Sequence, residues 1–336
     1  MSAKTITLDH GSGGKISHSL ITDTLLPLFN NPVLSRLDDG AVLDINGTRI
    51  AFSTDSYTVD PLFFPGGDIG ELAVNGTVND VAMCGAIPKY LSSGIIMEEG
   101  FPLADLERIL ESMKKAAGRA GVQIVTGDTK VVPRGGVDKL FINTSGIGII
   151  PQGINVSGSN AAPGDKIILS GYMADHGVTI LKERENMSFD SPIKSDTAPL
   201  NNMVKKIIEN SNRIHVLRDP TRGGVGTTLN EIALSSQVGI TIYEEKIPLR
   251  ASTRGICELL GFDPLYLANE GKLLAFVPED ISEMILSIIR EDEYGKDAAV
   301  IGEVTAGSPG MVFMKTAIGG ERIVDMLTGE QLPRIC

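Results

Sequence analysis

Carboxylates recur in this chain at the ends of strands and turns, most of them beside Gly, Thr or Asn: Asp38-Asp39-Gly40-Ala41, Thr54-Asp55, Asn79-Asp80, Gly127-Asp128-Thr129-Lys130 and Arg218-Asp219-Pro220. Hard divalent cations take oxygen ligands, and Mg²⁺ is typically held by a few carboxylates together with substrate phosphates. Five acidic sites in similar company are therefore candidates for a Mg-nucleotide site. The competing reading is local, since Asp favours turns because its side chain accepts from nearby backbone N–H groups. Asn269-Glu270-Gly271-Lys272 stands just before an apolar run. Glu270 is a candidate general base with Lys272 as its charge partner, or a plain hairpin carboxylate. His10-Gly11-Ser12-Gly13-Gly14-Lys15 is Gly-rich, and such a backbone can approach a phosphate closely. It fits neither the Walker A pattern nor a dinucleotide fingerprint.

The last residue of the sequence is Cys336, in Pro333-Arg334-Ile335-Cys336. A terminal thiol can visit more than one place, because chain ends are mobile unless tied down, and its thiolate can carry a group; a stray exposed thiol is the plainer reading of a lone terminal Cys. Cys84 and Cys257 sit in apolar runs and read as core thiols. The three cysteines show neither zinc nor disulfide spacing. None of the four histidines has metal-ligand spacing; His176, in Ala174-Asp175-His176-Gly177, is placed to meet phosphate or to serve as an ordinary turn residue.

The elements that must position these groups follow from periodicity. Residues 49–54 read as a strand ending at Asp55. Residues 68–83 read as a helix with small and apolar residues at helical spacing, and 103–120 as an amphipathic helix stopped by Gly121. Residues 123–126 read as a short strand running into a turn at Asp128, and 139–150 as a long strand. A Gly/Ser/Asn/Pro-rich boundary falls over 151–164. Beyond it come strands over 166–170, 273–277 and 298–304, and helices over 179–185, 200–210, 224–235 and 281–290. The expected domains are 1–150, 160–316 and a tail over 317–336, where Gly319, Gly320, Gly329 and Pro333 interrupt regular structure. About 15 extended residues span roughly 50 Å, enough to carry a thiol from an internal pocket to the surface.

Composition narrows the class. The chain has 336 residues, 42% hydrophobic and 21% charged, with a net charge of −12, no Trp and 5% aromatic residues. An acidic, aromatic-poor chain lacks the footprint of a nucleic-acid binder. The start has no apolar core of a signal peptide, and no run approaches the length of a membrane span. No nucleic acid, no membrane and a cytoplasmic location are expected.

In order along the chain, several runs resemble the AIR synthetase/selenophosphate synthetase (PurM-like) superfamily: His10 to Gly14, Phe52-Ser53-Thr54-Asp55, residues 60–67, Gly76-Thr77-Val78-Asn79-Asp80, residues 126–132, Asp175-His176-Gly177, residues 219–224 and residues 268–272. With the terminal Pro-Arg-Ile-Cys, the chain is most similar to the carbamoyl dehydratases of [NiFe]-hydrogenase maturation. The resemblance implies an α+β, two-domain fold. Its N-terminal halves pair as a dimeric β-barrel flanked by helices, its C-terminal half is an α/β sandwich, and its tail is flexible. It implies a homodimer using ATP and Mg²⁺, with Asp39, Asp55, Asp80 and Asp219 on the metal and phosphates (either Asp38 or Asp39 serving from that pair). Asp128, Lys130 and His176 join them in binding ATP, and Cys336, Glu270 and Lys130 act in catalysis. It implies a carbamoyltransferase partner, HypF, that loads Cys336, then ATP-dependent dehydration to a thiocyanate, then delivery of cyanide to iron on a HypC–HypD scaffold. Selenophosphate synthetases carry a reactive Cys or selenocysteine in the Gly-rich loop, and here Ser12 holds that place. An AIR synthetase or thiamine-phosphate kinase relative, and a thiol carrier without catalysis, are the rival readings.

Overall fold

Every second residue of 140–148 is apolar or small, and in the computed structural model these residues are buried while Asn143 and Ile147 face outward. This period of two fixes which face of a sheet meets the core. The structure describes residues 5–185, 187, 192–329, 332 and 334–336.

In the first half, α1 (Lys15–Leu20) runs through a π-helical turn into α2 (Leu26–Phe29). There follow β1 (Ala41–Ile45), β2 (Thr48–Tyr57), a small β3 (Phe63–Phe64)–β4 (Gly67–Asp68) hairpin and α3 (Ile69–Met83), then β5 (Ile87–Glu98), α4 (Leu103–Ala120), β6 (Gln123–Val132) and β7 (Leu140–Ile149). The sheet order is β1-β2-β7-β5-β6, antiparallel except for the β5–β6 pair. Asp68 caps α3 by accepting from the N–H groups of Gly70 and Glu71 at 2.8 and 3.0 Å, a contact typically worth about 1 kcal/mol. Helix α3 is buried nearly all round, and α4 lays Ile109, Met113, Ala116 and Ala120 against the core. Both cover one face of the sheet. On the other face Ile45, Phe52, Tyr90, Ile96, Ile147 and Ile149 are exposed.

The second half contains β8 (Asp165–Leu169), α5 (Asp175–Arg184), α6 (Asn201–Asn210), β9 (Val216–Arg218), α7 (Gly224–Ser236), β10 (Gly239–Tyr243), α8 (Ala251–Leu260), β11 (Leu274–Pro278), α9 (Glu279–Arg290), β12 (Ala299–Thr305), β13 (Val312–Lys315) and β14 (Glu321–Ile323). Its seven strands are ordered β14-β13-β10-β12-β8-β11-β9. Ile167 and Leu169 of β8 pack with residues of α5, α7 and α8, while Ile168 packs with residues of α6 and α9. Helices therefore cover both faces. The second core also takes in Ala51, Val81, Ala82 and Met83, which joins the two halves along the end of α3. Removing one such large side chain from water contributes roughly 1.5–3 kcal/mol.

The expected α+β, two-domain architecture is what the chain adopts. Three local expectations fail. Asp128 and Lys130 lie within a ten-residue strand and not in a turn, because β6 stays paired with β5 from Gln123 to Val132. Helix α5 starts at Asp175, not at residue 179. Residues 321–323, read as irregular, form the edge strand β14 by pairing with β13.

Candidate active site

Strand ends and the last turn of α3 bring four of the predicted carboxylates toward one cleft of about 680 Å³. Asp38 and Asp39 precede β1, Asp55 is on β2 and Asp80 is on α3; all four line it, with Arg218, Thr221, Arg222 and Glu231. Asp219, just after β9, is buried, and its charge acts on both Asp39 and Asp80. The two members of the Asp38–Asp39 pair have different surroundings. Asp38 accepts from Ser157 Oγ at 2.9 Å and from the Gly158 N–H at 2.8 Å, which staples the inter-half loop. Asp39 is in ion contact with Arg218 Nε at 2.9 Å, without an aligned hydrogen bond, and its buried Oδ2 has no partner among the described residues. Arg218 Nη2 also meets Glu231 at 2.8 Å. Asp80 Oδ2 lies 2.8 Å from Ser53 Oγ.

Burial is the main force on these groups. It holds the carboxyls of Asp39 and Asp80 well above the usual range; for Asp39, Arg218 opposes the rise and the charges of Asp219, Glu231 and Asp38 add to it, and for Asp80 those of Asp219, Asp55 and Asp39 add to it. Asp55 is raised by burial, and Asp219 is pushed up to about 6 for the same reason. Crowded anions with an orphaned oxygen suit a cation. Among the described residues, however, no three His, Cys, Asp or Glu side chains are grouped as a preformed metal cage. That combination fits Mg²⁺, which keeps waters and borrows substrate phosphates to complete its shell.

The thiol of Cys336 is inside the protein, with the residue 6% exposed. It lines a cavity of about 200 Å³ with Gly11, Ser12, Thr58, Arg222, Ala268 and Arg334. The Thr58 N–H donates to the Cys336 carbonyl oxygen at 2.8 Å, and the Asp60 N–H donates to Arg334 O at 3.3 Å. Arg334 Nε donates to Thr58 O at 2.7 Å, Arg334 also pairs with Asp138, and Arg184 donates to the carbonyls of both Asp60 and Arg334. Burial pushes the Cys336 thiol up to about 12, against the pull of Arg222. Arg222 lines both cavities and stands 4.0 Å from Asp55. Glu270 belongs to the same electrostatic group: burial holds its carboxyl well above the normal range, followed in effect by Asp196, Asp219 and Asp55, and its charge acts on Cys336.

Other expected members are placed differently. His176 is fully buried, with Nε2 2.8 Å from Ile335 O and Nδ1 2.8 Å from Ser195 Oγ; in this arrangement it holds the tail and does not face the carboxylate cleft. Asp128 and Lys130 pair with each other at 2.8 Å on the exposed β6 and line neither cavity. Lys272 pairs with Asp196 at 3.2 Å, not with Glu270. The Gly-rich loop grips the tail: the Lys15 N–H donates to Leu327 O at 2.7 Å and Lys15 Nζ meets Asp325 at 2.7 Å. A Cβ on Gly14 would fall 2.3 Å from Leu327 O, which accounts for the glycine. Sequence reasoning missed Arg218, Arg222 and Asp196; the Arg-Asp-Pro-Thr-Arg run around Asp219 was the available signal for the two arginines.

Residues 37–150 match the family model "AIR synthase related protein, N-terminal domain", and residues 162–315 match its C-terminal counterpart. The chain is 51% identical to the carbamoyl dehydratase HypE of Azotobacter vinelandii, covering 99% of this chain and 97% of that one. It is 46% identical to HypE of Escherichia coli K12, covering 98% and 99%. Among solved structures, a HypE–HypF complex matches with a TM-score of 0.88 at 50% identity, covering 92% of this chain and all of that one. A HypE in complex with ATP matches with a TM-score of 0.84 at 56% identity, covering 99% and 100%. AaThiL complexed with AMPPCP and TMP, at 20% identity and a TM-score of 0.74, shares the fold, covering 97% of this chain and 99% of that one. The chain belongs to the HypE carbamoyl dehydratase family of the PurM-like superfamily.

Proposed function

We propose that this protein uses ATP to dehydrate an S-carbamoyl group carried on its own Cys336 to a thiocyanate, which supplies cyanide for [NiFe]-hydrogenase maturation. The observation that carries this reading is the buried Cys336 thiol, which shares Arg222 with the carboxylate cleft. The HypE–HypF and HypE–ATP structures of relatives support HypF as the loading partner and ATP as the co-substrate.

The chemistry balances as follows. Carbamoyl-Cys336, S–C(=O)–NH₂, attacks the γ-phosphorus of ATP through its amide oxygen. One N–H proton passes to a base, ADP leaves, and an imidate phosphate, S–C(OPO₃²⁻)=NH, remains. Breaking the C–O bond with loss of the second N–H proton to the departing phosphate gives S–C≡N and inorganic phosphate. Glu270 is the proposed first base, since burial raises its affinity for a proton, the kind of tuning a catalytic base draws on. Arg222 would face the charge that develops between cleft and thiol, as positioned cations do in phosphoryl transfer. Asp39, Asp55, Asp80 and Asp219 are the residues that would hold Mg²⁺, whose chemistry when bound is to neutralise the phosphates. Asp39 is preferred over Asp38, whose oxygens are occupied by Ser157 and Gly158.

The uncovered apolar sheet face supports a homodimer in which two such sheets close a barrel, since large exposed apolar patches mark interfaces. Asp128 and Lys130, on the exposed edge strand β6, are proposed to reach the nucleotide from the second copy. His176 is proposed to serve by docking the tail. The tail would swing outward to HypF for loading and to HypC–HypD for delivery.

Turnover of ATP in the presence of HypF and carbamoyl phosphate tests the reading. Cys336→Ala and Asp80→Ala should each abolish it. ATP turnover on a free small amide that survives Cys336→Ala would overturn it.

A further inference from the structure

Glu270 is 3% exposed, and its Oε1 has no hydrogen-bond partner among the described residues. What fixes it is its backbone. Its N–H donates to Asp196 Oδ1 at 3.0 Å, and its carbonyl accepts from the Ala198 N–H at 3.4 Å. Asp196 Oδ2 is in ion contact with Lys272 Nζ at 3.2 Å, with the two side chains 5% and 10% exposed. Lys272 Nζ also donates to Gly271 O at 3.0 Å. Gly271 packs so closely here that a Cβ would fall 1.8 Å from the Asp196 carbonyl oxygen.

The segment carrying Asp196 is tied on its other sides to the rest of the site. Ser195 Oγ meets His176, which holds the tail. Asn75 donates to Thr197 Oγ1 at 3.1 Å, and Asn79 donates to Ala198 O at 3.0 Å while accepting from the Leu200 N–H at 2.8 Å. Asn75 and Asn79 belong to α3, the helix of Asp80. Asp196 and Lys272 also line a separate cavity of about 740 Å³ that Glu270 does not line, so the pair closes that side of the base.

We propose that Asp196 is a positioning residue for Glu270, with Lys272 as the counter-ion that makes its buried charge tolerable. The proposal rests on the reading of Glu270 as the base. An unpaired buried charge is strongly unfavourable, whereas removing both partners of a buried pair can be nearly neutral. Two neutral double variants therefore isolate the positioning bond. Asp196→Asn/Lys272→Met keeps an oxygen that can accept from the Glu270 N–H; Asp196→Ala/Lys272→Met does not.

The test uses the full chain, carbamoylated by HypF, and follows ATP-dependent loss of one water from the C-terminal peptide. Misplacing a reacting group by about an ångström can cost on the order of a hundredfold. The Ala/Met variant should lose about that much kcat with the ATP KM unchanged, and the Asn/Met variant should recover most of it. Equal rates in the two variants, or a change in KM alone, overturn the proposal. Thermal unfolding is recorded for both. If the Ala/Met variant does not fold, the Asn/Met variant decides: a kcat near wild type supports the proposal, and a hundredfold loss in a folded protein overturns it. Glu270→Gln is run alongside. Full activity there removes the base reading itself, whereas loss there with unaffected double variants removes only the role of Asp196.

Discussion

His176 Nε2 lies 2.8 Å from the carbonyl oxygen of Ile335, the residue before Cys336. A histidine deep in the core thus holds the chain end that carries the thiol. Burial holds its pKa below normal, so at neutral pH the ring is uncharged, and with Nδ1 accepting from Ser195 it donates from Nε2. A net hydrogen bond of about 1 kcal/mol corresponds to roughly a fivefold change in the docking equilibrium. His176→Leu should therefore expose the tail about fivefold more, read as faster alkylation of Cys336 by iodoacetamide in the protein without nucleotide. An unchanged rate would remove His176 as the tail's holder.

The thiol itself predicts a pH dependence. Docking raises its pKa from an ordinary 9.0 to about 12, so the docked tail binds its proton more tightly than the free tail. Docking is then fully favoured below about 9 and weakens about tenfold per pH unit from there toward 12. Protection of Cys336 from alkylation, measured relative to a free peptide of the tail sequence, should be flat below about pH 8 and fall above 9. An S-carbamoylated tail, followed by hydrogen exchange, should show no such fall, because the titrating proton is gone.

Arg222 joins two compartments, with Asp55 on one side at 4.0 Å and the thiol cavity on the other. Removing one positioned donor at a developing charge costs about 10²–10³ in kcat. Arg222→Gln should lower ATP-dependent dehydration by about a hundredfold while the carbamoyl group still loads. Normal turnover in this variant would mean that Arg222 neutralises nothing that matters to the reaction.

Arg218 makes a stability prediction. It is the cation for the buried Asp39 and for Glu231. Removing one partner of a buried pair typically costs about 3–5 kcal/mol. Arg218→Met should lower the denaturation free energy of the nucleotide-free protein by that order, and Asp39→Asn in addition should return part of it. Additive losses in the double variant would show that the two residues are not coupled.

Much of this site was legible locally. Helices α3 and α4 and strand β7 follow from periodicity; Asp39, Asp55 and Asp80 stand beside Gly, Thr or Asn and Asp219 between Arg218 and Pro220, which makes them ligand candidates or turn residues alike, and the family resemblance is what singles them out as a set. What failed depended on partners distant in sequence. Gly127 and Asp128 look like a turn, yet pairing with β5 carries the strand through them. Glu321 to Ile323 has no strand signal of its own and is formed by β13. Lys272 stands two residues from Glu270, but the Gly271 backbone turns it toward Asp196. His176 sits beside a plausible phosphate turn and instead meets the tail, which no local pattern encodes.

The central claim is that Cys336 carries the substrate and the rest of the chain dehydrates it. The most direct measurement is the mass of the C-terminal peptide after incubation with HypF, carbamoyl phosphate and ATP, with and without a non-hydrolysable analogue in place of ATP during the second step. The account predicts a carbamoyl adduct on Cys336 that loses the mass of one water only when ATP is hydrolysed, and that persists intact in Glu270→Gln. A Cys336 that never carries the adduct, or an adduct that loses water without ATP hydrolysis, would contradict it.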